Sequence, residues 1–247
     1  MNKLTQESNS YIINSKKPFN PISRFNPVSL KESFDFAYDM SFGRVGEHRD
    51  HRTGGSHKRE NGEIFINTFQ GKLAEFSIYE IFKSHGMDIP KPDLEKYDLG
   101  AWDTCDFDID GIKLAVKSTK HFGQLLLLET KDWNNKGEYL PNKDSDNDTY
   151  NYFILVRISP EGDSLMKRHR LWYSKDINRD QLEDIISNEN WTYDSPGYIS
   201  NMELVEIINN QFILPKGSML NGKTKMDAEN YYIQAGDMHD INGLFKK

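Results

Sequence analysis

The 247-residue sequence holds a single cysteine, Cys105, so no disulfide can close within it and an oxidising compartment is not indicated. No apolar run approaches the roughly 18 residues that a membrane-spanning helix needs. The opening stretch, MNKLTQESNSYIINSKKPF, lacks the apolar segment of a secretion signal. These absences predict a cytoplasmic protein with no membrane partner. Excess positive charge is lacking too. The net charge is −7, which taken alone argues against nucleic-acid binding, because phosphate contacts need lysine and arginine. The charge is uneven along the chain, however, and carboxylates that hold a metal add to the negative count. No internal repeat and no clear domain boundary are visible. What is present is enough apolar and aromatic material, 36% and 12% of residues, to pack a core in one large domain.

Residues 1–28, rich in Asn, Ser and Pro, read as an extended arm. Ser29-Leu30-Lys31-Glu32 has the pattern of a capping box, with a helix to about Met40. Residues 43–62 are polar and glycine-rich and predict a loop, followed by a short strand at 63–67. From Gly71 to His85 the apolar residues Ala74, Ile78, Ile81 and Phe82 recur at helical spacing, and Gly86 stands at the C-terminal cap. Strands are predicted at 105–109 and 112–118, around Asp110-Gly111, a two-residue hairpin signal. Further strands are predicted at 124–130, 150–158 and 169–174. A helix is expected near 179–186, and a mixture of a short helix and strands from about 198.

The hairpin carries the chemistry. With Asp110-Gly111 as the turn, Asp106 lies opposite Ala115, and side chains two apart share a face. Asp106, Asp108, Ala115 and Lys117 therefore line one face. A carboxylate beside a lysine on antiparallel strands suits metal-assisted phosphodiester hydrolysis. The carboxylate binds Mg²⁺, a hard ion preferring oxygen, and the ammonium orients a water or steadies developing charge. Glu75, at the edge of the apolar stripe of its helix, is expected to point toward the sheet, and Glu80 toward water.

Helix acid, strand Asp, turn, strand Lys is an order that resembles the PD-(D/E)xK nuclease superfamily, most of all its type II restriction endonucleases, over roughly residues 70–133. Glu75 matches the acid of the core helix, Asp106 the hairpin Asp, and Lys117 in Ala115-Val116-Lys117-Ser118 the motif lysine. Ala115 departs from the pattern, which has Asp or Glu there. The resemblance implies an α/β fold: a mixed β-sheet flanked by helices, a restriction-endonuclease-like core with extended DNA-contacting loops. It implies a single nuclease domain over 1–247, with a catalytic core at about 63–160, an arm and basic loop at 1–62, and a C-terminal extension at 161–247. It also implies Mg²⁺ held by Asp106 and Glu75 with Asp108 in reserve, double-stranded DNA as substrate, and a homodimer on a palindromic site. Low-specificity repair or phage-type cleavage, and a nucleic-acid-binding module without catalysis, are the alternatives. A rival lysine, Lys131, stands in a literal Glu129-Thr130-Lys131; Lys117 is preferred because its strand pairs directly with that of the Asp.

Residues 44–59 read RVGEHRDHRTGGSHKR. Arg44, Arg49, Arg52, Lys58 and Arg59 make this a candidate DNA-contacting loop, with a solvated polar loop as the plain alternative. A bidentate arginine on a base is worth about 1–3 kcal/mol of discrimination. His48, His51 and His57 lack zinc-ligand spacing, and Asp144, Asp146 and Asp148 lack the glycine and glutamate of a calcium loop. Lys167, Arg168 and Arg170 form a second basic patch before Leu171-Trp172-Tyr173, suited to phosphate contacts or to an exposed turn. Lys216, Lys223 and Lys225 offer non-specific contacts or, as scattered lysines usually do, a plain solvated face.

Overall fold

The computed structural model describes residues 1–43, 59–95, 105–142 and 149–245. In chain order its strands and α-helices are β1 (Thr5–Glu7), β2 (Ser10–Ile12), β3 (Ser23–Arg24), α1 (Pro27–Ser41), α2 (Asn61–Ser84), β4 (Phe107–Ile109), β5 (Ile112–Lys120) and β6 (Leu125–Glu129). They continue as β7 (Tyr152–Ser159), α3 (Gly162–Arg168), α4 (Arg179–Ser187), β8 (Thr192–Ser200), α5 (Asn201–Asn209), β9 (Ile213–Leu214), β10 (Met219–Leu220), β11 (Thr224–Lys225) and β12 (Asn230–Gln234). The fold is mixed α/β. Among the described residues, no helix is long and apolar enough to cross a membrane.

A five-stranded sheet of order β3-β8-β7-β5-β4 forms the centre. β5 and β7 run parallel, with Lys117 in register with Leu155, while the β4–β5 and β7–β8 pairs are antiparallel. Strand alternation divides this sheet between two cores. Leu114, Val116, Ile154 and Val156 face one way, into a cluster with Phe65, Phe69, Leu73 and Ile78 of α2. Ala115, Phe153 and Leu155 face the other way, against Leu126, Leu128, Tyr232 and Ile233 of an antiparallel sheet of order β6-β12-β9 and against Leu204 and Ile207 of α5. The layers are thus helices, central sheet, then a second sheet with α5. Each large apolar side chain buried this way contributes about 1.5–3 kcal/mol.

The arm at residues 1–28 is bound along its length. β2 pairs with β1 and, in parallel, with β10. Buried Gln234 accepts from the backbone N–H groups of Asn14 (2.9 Å) and Ser15 (3.0 Å). Arg157, 1% exposed, donates to the carbonyls of Lys17 and Pro18 at 2.9 and 2.8 Å.

Several elements differ from the sequence expectations. The strand at 63–67 is the first part of α2. Ile64-Phe65-Ile66 is β-favouring locally, but burial of Gly62 through Ile66 on nearly every side stabilises a helix there. Gly71 accordingly lies within α2 and does not begin it. Helix α1 is capped by Asn26, whose side chain accepts from Val28 and Ser29 N–H groups, with Pro27 in its first turn. Ser29 donates its hydroxyl to Glu80 instead. A capping box does occur, at Ser200 and Glu203. Residues 169–174 form no strand: α3 ends in a turn with Arg170 at φ 61°, and Leu171 N–H returns to the Met166 carbonyl. Gly86 caps α2 as the spacing predicts, at φ 76°, with the Met87 N–H bonded to the Phe82 carbonyl.

Candidate active site

The hairpin forms around Asp110 and Gly111, at φ 52° and 83°, the left-handed pair that a two-residue turn requires. The Asp108 carboxylate accepts the Gly111 N–H at 2.8 Å and stiffens the turn. Phe107 pairs with Leu114, Asp108 with Lys113 and Ile109 with Ile112. β4 begins only at Phe107, so the Val116 N–H on this edge of β5 has no strand partner. Asp106 supplies one: its Oδ2 accepts that N–H at 2.6 Å. A backbone donor to a carboxylate is among the stronger hydrogen bonds, and it fixes the Asp106 side chain against β5. Its other oxygen takes no hydrogen bond among the described residues.

The β4–β5 register ends at Phe107 and Leu114, so Asp106 is joined to β5 by its bond to Val116 and not by strand pairing, and Lys117 is the next residue along β5. Lys117 is exposed, and its ammonium makes no ion pair among the described residues. Ala115 is 2% exposed, packed in the core shared with β6 and β12.

Glu75 stands apart. Helix α2 covers the Leu114 and Val116 face of β5, whereas alternation puts Lys117 on the opposite face. Lys72 lies 2.6 Å from the Glu75 carboxylate, donates also to the Asp93 carbonyl at 2.7 Å, and sits over the Phe36 ring. Glu80 does not face open water: it accepts from the Ser29 hydroxyl at 2.7 Å and from Tyr193 at 3.1 Å. Burial, with the Glu80 charge beside it, raises the Tyr193 hydroxyl and keeps it a donor.

Among the described residues, no group of three or more His, Cys, Asp or Glu is arranged to hold a metal. Asp106, with one oxygen unengaged among the described residues, and Asp108, exposed two residues on, are hard oxygen donors beside the Lys117 hairpin. A pair of this kind fits Mg²⁺, which keeps several waters and takes one or two carboxylates from the protein. The rival Lys131 is 3.1 Å from Glu129 of its own motif, on β6 in the second sheet. Burial raises the Glu129 carboxyl against the opposing pull of Lys131.

Arg44, Arg49, Arg52 and Lys58, with His48, His51 and His57, lie outside the described residues, as do Asp144, Asp146 and Asp148. Arg59 is described, and the chain just after it docks on the second basic segment. Gly62 N–H bonds the Ser174 carbonyl at 3.0 Å and Asn61 bonds the Lys175 carbonyl at 2.9 Å. A Cβ on Gly62 would stand 1.9 Å from the Leu171 carbonyl oxygen, so only glycine permits this approach. The start of α2 thus rests on the stretch that follows Arg170. Lys167 sits 4.5 Å over the Trp172 ring, Arg168 pairs with Glu189, and Arg170 and Tyr173 are exposed.

Pattern reasoning missed the Asp106–Val116 bond, because a side chain replacing a strand partner leaves no periodic trace. It also missed the buried Arg157. A lone arginine inside Tyr152-Phe-Ile-Leu-Val-Arg157-Ile-Ser159 was the available signal, since a charge so placed requires a buried partner. No family model, curated protein or solved structure matches this chain.

Proposed function

We propose that the chain is a metal-dependent nuclease with a restriction-endonuclease-like core, acting on double-stranded DNA. One observation carries this reading. Asp106, just before an antiparallel hairpin, is tethered to the backbone of Val116, one residue from the Lys117 ammonium, which makes no ion pair among the described residues. Asp106 and Asp108 would hold Mg²⁺, which when bound polarises a phosphoryl oxygen and acidifies a water. Lys117 orients that water and offsets charge developing on the phosphate. Glu75, turned to Lys72, passes its ligand role to Asp108 and acts as a support of α2. Lys167, Arg170 and Arg59 supply phosphate contacts that position the duplex. A cytoplasmic homodimer on a palindromic site completes the proposal.

Incubation of plasmid DNA with the protein and Mg²⁺, against an EDTA control, tests it. Discrete fragments support restriction, and a smear supports a low-specificity nuclease. Lys117→Ala should lower the rate about a hundredfold or more, whereas Lys131→Ala should cut normally; the reverse pattern moves the site to Lys131. A second reading, a binding module without catalysis, is favoured by Ala115, whose buried apolar surroundings leave no room for the acid that the family pattern puts there. A gel shift with no cutting in any divalent metal would establish it.

A further inference from the structure

We propose that a crevice beside Lys117 accepts a single unstacked nucleobase, so that the bound strand is read as a locally opened or single-stranded nucleotide as well as a duplex. The course of the strand rests on the nuclease reading; the crevice itself rests on its own geometry.

The crevice has a volume of about 480 Å³ and lies between the β5–β6 connection and the turn joining β10 to β11. Small-molecule sites generally range over about 300–1,000 Å³, so a base and its sugar fit. Leu125, Leu127 and Leu220 give it an apolar floor, and Phe122, 55% exposed, forms an aromatic wall. An exposed phenylalanine is costly to leave in water, and its ring is the surface on which any base stacks without regard to sequence.

The walls are built closely. A Cβ on Gly123 would come 2.4 Å from the Thr119 hydroxyl, so glycine is needed for the tight turn that presents Phe122. On the other side Asn221, at φ 50°, accepts the Ile13 N–H at 3.0 Å and ties the β10–β11 turn to the arm. Charge complements the apolar floor. Lys223 lines the rim, exposed and without an ion pair among the described residues. Lys120 also lines it, but its ammonium is committed to Asp163 at 2.7 Å. An aromatic wall with a free cation at the rim matches a planar base joined to a phosphate. Thr119, which lines the crevice, shares the face of β5 that carries Lys117, two residues before it. One strand can therefore pass from the crevice to the hairpin without crossing the sheet.

The test is binding of a fluorescein-labelled oligothymidylate to the full chain in EDTA, where no cleavage occurs, followed by anisotropy. Phe122→Ala should weaken binding about tenfold and Phe122→Trp should restore it, because stacking needs a ring and not this particular one. Lys223→Ala should lower the salt dependence by about 0.7 in log–log slope, the loss of one single-strand phosphate contact. Binding by Phe122→Ala equal to the parent, no binding by the parent, or failure of Phe122→Trp to restore it would each overturn the inference. The EDTA assay also separates the two proposals. A protein that binds through Phe122 yet cuts nothing retains the crevice and loses the nuclease, and one that cuts with unchanged Phe122→Ala binding does the opposite.

Discussion

Arg157 and Asp194 meet edge to edge inside the protein, Nε to Oδ1 at 2.8 Å and Nη2 to Oδ2 at 2.5 Å, with the two residues 1% and 4% exposed. Two of the three remaining guanidinium hydrogens go to the Lys17 and Pro18 carbonyls, and the carboxylate accepts the Asn20 N–H at 2.8 Å. The pair therefore clamps the arm to β7 and β8. Removing either member leaves a buried charge unpaired, which costs about 3–5 kcal/mol. Asp194→Ala should show that loss in urea unfolding and should speed trypsin cleavage at exposed Lys16. A variant as stable as the parent, with the arm equally protected, would mean the clamp is energetically idle.

Asp106 holds two duties that substitution can separate. Asn at this position can still accept the Val116 N–H, so Asp106→Asn should lose no more than about 1 kcal/mol, whereas Asp106→Ala strands a donor at about 1–3 kcal/mol. Both should abolish cutting if Asp106 is a metal ligand. Parent-level cleavage by Asp106→Asn would confine the residue to its structural bond.

Gly71 lies inside α2, and a Cβ there would meet nothing within 4 Å. Glycine in a helix interior is unfavourable by roughly 0.8–1 kcal/mol relative to alanine. Gly71→Ala should raise the urea midpoint by an amount near that figure with an unchanged slope. A fall in the midpoint would show that the helix needs the freedom of glycine at this point.

Glu203 links stability to pH. Burial works to raise its carboxyl, but hydrogen bonds from the Ser200 N–H and hydroxyl, and from His239, outweigh burial and hold it below the ordinary 4.5. The unfolded chain then takes up the proton first. The stabilisation is complete above the ordinary value and is lost as pH falls through the lowered folded one. The Tm advantage of the parent over Glu203→Gln should be present at about pH 6 and shrink toward about pH 3. An advantage that grows on acidification would reverse this assignment.

Arg170 lies exposed in the turn after α3, at φ 61°. If it touches the DNA backbone, Arg170→Ala should weaken binding alike for every sequence and reduce the log–log salt slope by about 0.9. Affinity unchanged across several salt concentrations would take the turn out of the interface.

Local chemistry made part of this fold legible in advance. Asp110-Gly111 and Gly86 impose left-handed backbone geometry within a few residues, so the hairpin and the end of α2 follow from the sequence near them. The two-residue period of a strand likewise places Asp108, Ala115 and Lys117 on a common face, whereas Asp106 lies outside β4 and reaches β5 through the Val116 N–H. The side of the sheet that α2 covers is a different kind of fact. It depends on Leu114 and Val116 outcompeting Ala115 for the phenylalanines of the helix, and so Glu75 went to Lys72. The start of α2 was hidden for the same reason: burial on all sides erases the stripe that separates helix from strand. Arg157 was conspicuous as a charge in an apolar strand, but its partner lies 37 residues on and its other acceptors 139 and 140 back.

The binding of the arm has a kinetic consequence. Asn2 bonds Asp237, Leu4 bonds Tyr232, and β2 pairs with β10, across separations of more than 200 residues. Contacts so distant slow the search for the native state. A chain emerging from the ribosome makes β2 more than 200 residues before β10 exists to receive it. Until then the arm has no seat, and though it is made before β10 it is among the last parts of this fold to settle.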